Sequence, residues 1–303
     1  MLANFDSLFD LMAAFPDEQA CVDHLRKIRW RDGEFCPHCG TGRIYTFSDR
    51  KTFKCGDCRQ RFSIKVGTIF EDTKLPLRKW FMAIWLITNH PKGIASTTLA
   101  KDLKITQKTA WFVLHRLRHA ARSPSFNSPL KGEVEVDETY VRGKSINRHG
   151  GRSGTRGGSA DKTPVVGAVE RKGKLIAKVL PVVSQFTLHT FVQEVVAKDA
   201  ALLATDAHHA YKSLVGYASH QIVNHKAGEY RKGRGHTNSI ESVWALLKRQ
   251  IVGIHHYVSP KHLGRYVDEM SWRFNRRDMP VTARMNSIFE CVEGRLTYKA
   301  LTA

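Results

Sequence analysis

The stretch GEVEVDETYV, residues 132–141, alternates apolar and polar side chains over the length of one strand and carries four acids in ten positions. Strict alternation puts Glu133, Glu135 and Asp137 on one face and Val134, Val136 and Glu138 on the other. The pattern therefore leaves open which of Asp137 and Glu138 looks into a site. Downstream, TPVVGAVERKGKLIAKVLPVV (163–183) reads as two strands joined at RKGK, and TLHTFVQEVVA (187–197) as a helix. ALLATDA (201–207) is a short buried strand, HQIVNH (220–225) another, and SIESVWALLKRQIVG (239–253) a long helix. Three strands, a helix, a strand, further α/β elements and a helix make an α/β domain over residues 130–280, in the element order of a ribonuclease-H-like fold.

Upstream the character changes. Residues 1–30 read as an amphipathic helical segment, with Phe5, Leu8, Phe9 and Met12 at helical spacing and an interruption at Pro16. In residues 31–72, Cys36 and Cys39 are followed after fifteen residues by Cys55 and Cys58. Two such knuckles separated by short strands present four thiolates to one tetrahedral Zn(II), the pattern of a zinc ribbon. Four thiolates fill the coordination sphere, so this metal folds the module and does not catalyse. The remaining cysteines, Cys21 and Cys291, do not suggest a disulfide framework. Residues 74–123 look all-helical. STTLAKDL and TQKTAWFVLHRLRHAA, joined by KIT, have the pattern of a helix-turn-helix, with Thr106 as cap and Ala110, Val113, Leu114 and Leu117 on the apolar face. The second helix would offer Gln107, Lys108 and Thr109 to DNA bases, and Arg116 and Arg118 to phosphates. A linker with Pro124, Ser125, Ser128 and Pro129 separates the two regions.

The whole chain has 303 residues, with 48 Lys and Arg against 28 Asp and Glu, a formal net charge of +20. That balance points to a partner made of phosphates. The apolar run WFMAIWLI (80–87) is far too short to span a bilayer. The N-terminus lacks the basic and apolar regions of a signal peptide, so the expected location is the cytoplasm, associated with the nucleoid. Residues 142–160, RGKSINRHGGRSGTRGGSA, contain six glycines and no acid, the composition of a cationic loop that can wrap a phosphate backbone. The helix of YVSPKHLGRYVDEMSWRFNRRDM ends in Arg273, Arg276 and Arg277, which could touch flanking DNA, and the tail 281–303 carries no legible signal.

Three carboxylates stand out by position. Asp137 lies on the first strand, Asp206 ends the strand ALLAT, and Glu241 opens a late helix after 34 intervening residues. Locally, Asn238 and Glu241 approximate a capping box. A trio of acids at strand ends and a helix start is also what two Mg(II) ions, or Mn(II) in their place, need around a scissile phosphate. Lys248 follows Glu241 by two helical turns, on nearly the same face, beside the apolar stripe Ile240, Val243, Leu247 and Ile251. His208, His209, His225 and His236 flank the acids and suit structural or tuning roles better than ligation of a metal that prefers oxygen.

These segments resemble a known family. CPHCG with KCGDCRQRFS, LAKDLKITQKTAWFVLHRLR, VEVDETYVRGK, TDAHHAYKSL, VNHKAGEY and the run from His236 to Arg277 look like a prokaryotic insertion-sequence transposase of the DDE type, in the ISXO-like group with an N-terminal zinc ribbon. The resemblance implies DNA cleavage and strand transfer at the terminal inverted repeats of a mobile element, on double-stranded DNA and as a homo-oligomer when assembled there. It makes Asp137 and Asp206 the first two metal-binding acids, Glu241 the third and Lys248 the DNA-contacting lysine of a DDE plus K pattern. Some members of the group carry Asn at the third acid, and this sequence follows the acidic version. The rival expectation is a zinc-ribbon and helix-turn-helix DNA-binding regulator, in which the three acids are dispensable.

Overall fold

The computed structural model describes residues 3–122, 128–142, 162–224, 231 and 233–303. The basic loop expected to wrap a phosphate backbone, from residue 143 onward, and His225 lie outside the described residues. The chain divides into two compact units, residues 1–122 with 278–303, and residues 123–277.

The first unit opens with α1 (Leu8–Ala14) and α2 (Glu18–Arg29), each capped by the side chain before it, Ser7 and Asp17. A three-stranded antiparallel sheet follows: β1 (Ile44–Thr46), β2 (Thr52–Cys55) and β3 (Arg61–Ser63), in that order. Three helices complete this part, α3 (Leu77–Asn89), α4 (Ser96–Leu103) and α5 (Gln107–Ala121). The turn between α4 and α5 passes through Lys104 at φ 47°, and Thr106 caps α5 by accepting from the Thr109 backbone N–H at 3.2 Å.

Two arginines expected to face phosphate turn inward. Arg116 is 5% exposed and donates to the backbone carbonyls of Leu296, Ile69 and Glu71, and Arg118 is 1% exposed. Both belong to the interior because α5 is surrounded there, and a 3.6-residue period reports a helix face without reporting what covers it. One of the covers is the stretch that reads as an uninformative tail. In the described structure it forms α9 (Val281–Phe289) and, near the C-terminus, α10 (Tyr298–Thr302), both within the first unit. Phe289 packs its ring 4.5 Å from that of Phe81, and Asn286 bonds the buried His24 at 3.0 Å.

The second unit is built on a five-stranded mixed sheet. Its strands are β4 (Glu133–Arg142), β5 (Lys162–Glu170), β6 (Leu175–Val179), β7 (Leu202–Asp206) and β8 (His220–Val223), ordered β6-β5-β4-β7-β8. β4, β5 and β6 pair antiparallel, while β7 and β8 run parallel to β4. This order is consistent with a ribonuclease-H-like domain. One face is covered by α6 (Gln185–Val195), where Leu188, Phe191 and Val192 pack on Val134 and Val136. The other carries α7 (Asn238–Gln250) and α8 (Pro260–Asn275), packed on Val165, Val169 and Leu175 through Ile240, Val243, Trp244, Leu247 and Met270. Arg273, expected near DNA, is 7% exposed and instead pairs with Glu269 and bonds Gln250 at 3.0 Å. Among the described residues no helix is long and apolar enough to cross a membrane.

Candidate active site and metal centre

The four cysteines come together as their spacing predicts. Their sulfur atoms all lie within 4.8 Å of one another, with Cys36 and Cys58 at 3.7 Å and Cys39 and Cys55 at 3.6 Å. A tetrahedron of Zn–S bonds of about 2.3 Å has edges of about 3.8 Å, so these separations suit one shared ion. They are far beyond a disulfide bond length of about 2.05 Å. Backbone N–H groups of His38, Asp57 and Cys58 point at the Cys36 and Cys55 sulfurs, at 3.3 to 3.4 Å, as is expected around thiolate charge. The cluster is consistent with structural zinc.

The acids meet where β7 ends. β4 pairs with β7 only as far as Val136 opposite Thr205, and Asp206 closes β7. Beyond that pair the space beside β4 is open on the β7 side. Asp137 and Glu138 start from opposite faces of β4, as alternation requires, and both reach into this opening. Carboxylate oxygens of Asp137, Glu138 and Asp206 lie within 4.8 Å of one another. Both of the residues between which the pattern left the choice open thus lie in the cluster.

Each acid is held by a named partner. The Trp244 indole N–H, from α7, donates to Asp137 Oδ2 at 3.0 Å. The phenol of Tyr211, buried in the short 3-10 turn His209–Tyr211, donates to Glu138 at 2.8 Å. Asp206 Oδ1 accepts from the His208 backbone N–H at 3.0 Å. Gly167 stands opposite Asp137 in the β4–β5 register, and a Cβ there would lie 2.6 Å from the Trp244 ring. Glycine is what lets the indole cross β5 to reach the carboxylate.

Crowding three carboxylates has an electrostatic signature. Burial, then the charges of Glu138 and Asp206, push Asp137 up to about 7, against the Trp244 bond that favours its ionised form. Glu138 is also raised, by burial and by Asp206, while the Tyr211 bond and nearby His208 pull the other way. A divalent cation relieves this strain of like charges, and an all-oxygen set suits Mg(II) better than a soft metal.

Glu241 stands outside this group of three. It is exposed on the first turn of α7, and its Oε1 accepts from the Thr237 hydroxyl at 2.9 Å. Trp244, three residues on, and Lys248, seven on and also exposed, lie along the same edge of the helix. Because Trp244 touches Asp137, that edge runs beside the acids. The expected capping by Asn238 is corrected: Asn238 is the first helical residue, Thr237 precedes it, and no side chain of that position caps the helix. The free N–H groups of Ser239 and Ile240 are taken by Glu135 across from β4, at 2.7 and 3.1 Å. His236 places Nδ1 3.1 Å from the same carboxylate, a structural contact.

In the first unit, Gln107 and Lys108 are exposed at the start of α5 and Thr109 is half-buried. Gln107 bonds Ser96 at 2.9 Å, and Lys108 sits over the Tyr298 ring at 5.1 Å. A cavity of about 580 Å³ lies beside them, lined by Thr106, Phe112 and Tyr298 among others, and none of the three clustered acids lines it. The acids cluster instead where β7 stops beside β4. Sequence reasoning missed Trp244, Tyr211 and Gly167, which carry no charge pattern. An indole at i+3 from Glu241 was the one available signal.

Comparison with known proteins agrees with this arrangement. Residues 129–275 match the ISXO2-like transposase domain, and residues 16–61 match the transposase zinc-ribbon domain. The chain is 28% identical over 293 residues to an "uncharacterized protein in transposable element ISH50" of Halobacterium salinarum, a match covering 91% of this chain and 97% of that one. From zinc ribbon to acidic strand edge, the chain thus carries an ISXO2-like transposase domain behind a transposase zinc-ribbon domain.

Proposed function

We propose that the protein cuts the ends of its element at the terminal inverted repeats and joins them to target DNA by a two-metal-ion mechanism. The observation that carries this is the meeting of Asp137, Glu138 and Asp206 at the end of β7, with α7 tied to Asp137 through Trp244. Asp137, Asp206 and Glu241 hold Mg(II) or Mn(II), with Glu138 adding a fourth carboxylate at the same edge. A metal pair held there would supply activation of a water or a 3′-hydroxyl and stabilisation of the leaving oxygen of an in-line displacement. Trp244 fixes the orientation of Asp137, and Tyr211 fixes that of Glu138. Lys248, exposed on the helix edge of Glu241, contacts a DNA phosphate.

Recognition falls to the first unit. The pair α4 and α5 acts as a helix-turn-helix that places Gln107, Lys108 and Thr109 in the major groove. The zinc ribbon supports the same unit. Two copies assemble on DNA, since two element ends must be brought together.

The test is an end-cleavage and strand-transfer assay on DNA carrying the flanking repeats, with Mg(II). Wild type cleaves and joins, while Asp206→Ala and Glu241→Ala bind the ends and do neither. Mutants that match wild type would return the acids to a structural role and favour a DNA-binding regulator.

A further inference from the structure

We infer that Glu135 is a positioning residue: it seats the first turn of α7 on β4 and thereby fixes where Glu241 stands relative to Asp137. The inference rests on the two-metal reading above. Glu135 stands two residues before Asp137 on the β4 face that looks toward α7, and it is 0% exposed. Its carboxylate ties β4 to the first turn of α7 and to the turn between β5 and β6. Oε2 accepts from the Ser239 and Ile240 backbone N–H groups at 2.7 and 3.1 Å. Oε1 accepts from the Ser239 hydroxyl at 3.0 Å and from Arg171 Nε at 2.6 Å.

These bonds perform the office of a helix cap from a strand about a hundred residues away in sequence, where the residue preceding the helix supplies no side-chain cap. A fully buried carboxylate is stable only when its charge is met. Here it is met by Arg171 and by the positive end of α7. Arg171 extends the tie: it also pairs with Glu133 and donates to the carbonyls of Arg234 and His236 at 2.9 and 3.2 Å. The segment that enters α7 and the first turn of α7 are therefore fastened to the strand that carries Asp137. Two residues along a strand span about 7 Å, so the clamp and the metal-binding acid share one short rigid stretch. Catalytic groups need placement to within about 0.5 Å, and Glu241 is only one helical position past Ile240.

A purely stabilising role would be served as well by apolar residues, since a buried ion pair seldom outperforms good packing. What charge adds here is direction: it fixes which two N–H groups of α7 meet β4.

The experiment compares wild type with Glu135→Gln in the full chain, on DNA carrying the element ends. It reads DNA affinity, the half-saturating Mg(II) concentration, the cleavage rate, and amide exchange at Ser239 and Ile240. Glutamine keeps the shape but turns an N–H donor toward Arg171 or toward the helix. The expected result is unchanged DNA affinity, faster exchange at Ser239 and Ile240 with β4 and β5 still protected, and a Mg(II) requirement and rate each worse by about 10- to 100-fold. Ser239→Ala, which removes only the hydroxyl bond, moves the same quantities in the same direction by a few-fold and decides the matter if the glutamine chain does not fold. Folded variants with the wild-type Mg(II) requirement and rate overturn the inference. A wild type that neither binds Mg(II) nor cleaves overturns the two-metal reading itself, which separates the two failures.

Discussion

Asp137 ionises at about 7 in the folded protein because burial and two neighbouring carboxylates penalise its charge. In an unfolded chain an aspartate ionises near pH 4. The folded state therefore holds a proton that the unfolded state has lost, and the resulting stability is complete below about pH 4 and disappears as pH rises through about 7. Mg(II) takes the ionised form, so its effect has the opposite trend. Metal-free protein should lose melting temperature between about pH 5 and pH 8, and Mg(II) should restore more of it at pH 8 than at pH 6. Asp137→Asn should flatten the first dependence and remove most of the second. Thermal melts across that range, with and without Mg(II), check this; an equal Mg(II) effect at both ends would count against a site built on Asp137.

At the scale of elements, α5 divides its basic residues between two tasks. Arg116 is spent on three backbone carbonyls inside the first unit, whereas Lys108 is exposed at the start of the helix. Arg116→Met should lower the unfolding free energy by about 3 kcal/mol, because it strands buried acceptors. Any loss of DNA binding in that variant should track its unfolded fraction. Lys108→Ala should leave stability within about 1 kcal/mol and weaken DNA binding several-fold in the fully folded protein. Urea melts beside fluorescence anisotropy on labelled DNA distinguish the two; equal DNA phenotypes at equal folded fraction would sink the division. The same contrast explains the sequence reading. A helical period marks Arg116, Arg118 and Lys108 alike as basic residues on an amphipathic helix, and only the packing of surrounding elements separates them.

For the whole molecule, the formal charge of +20 supplies long-range attraction to DNA that does not depend on sequence. If six to ten phosphates are contacted, affinity should fall by about 10³-fold or more between about 50 and 200 mM salt. Titrations at several salt concentrations give the slope, and a slope near zero would mean that the charge serves another purpose. The elements that carry this charge were legible in part. The cysteine spacing announced the ribbon because metal coordination imposes its geometry on sequence directly. The strand and helix order from 132 to 253 announced an α/β domain, because periods of 2 and 3.6 residues survive in the sequence.

By itself, then, the sequence determined the four thiols of one metal cluster, the succession of strands and helices, and the strands that carry Asp137 and Asp206. Tertiary structure alone decided that Glu138 joins those acids, since β7 ends beside it. It also decided that residues 281–303 complete the first unit, that Arg273 is buried, and that α7 is capped by Glu135 in place of its own neighbours. The physical reason is common to all four. Local pattern records which face a residue occupies, whereas charge neutralisation, capping and cover are set by which elements meet once the chain has folded.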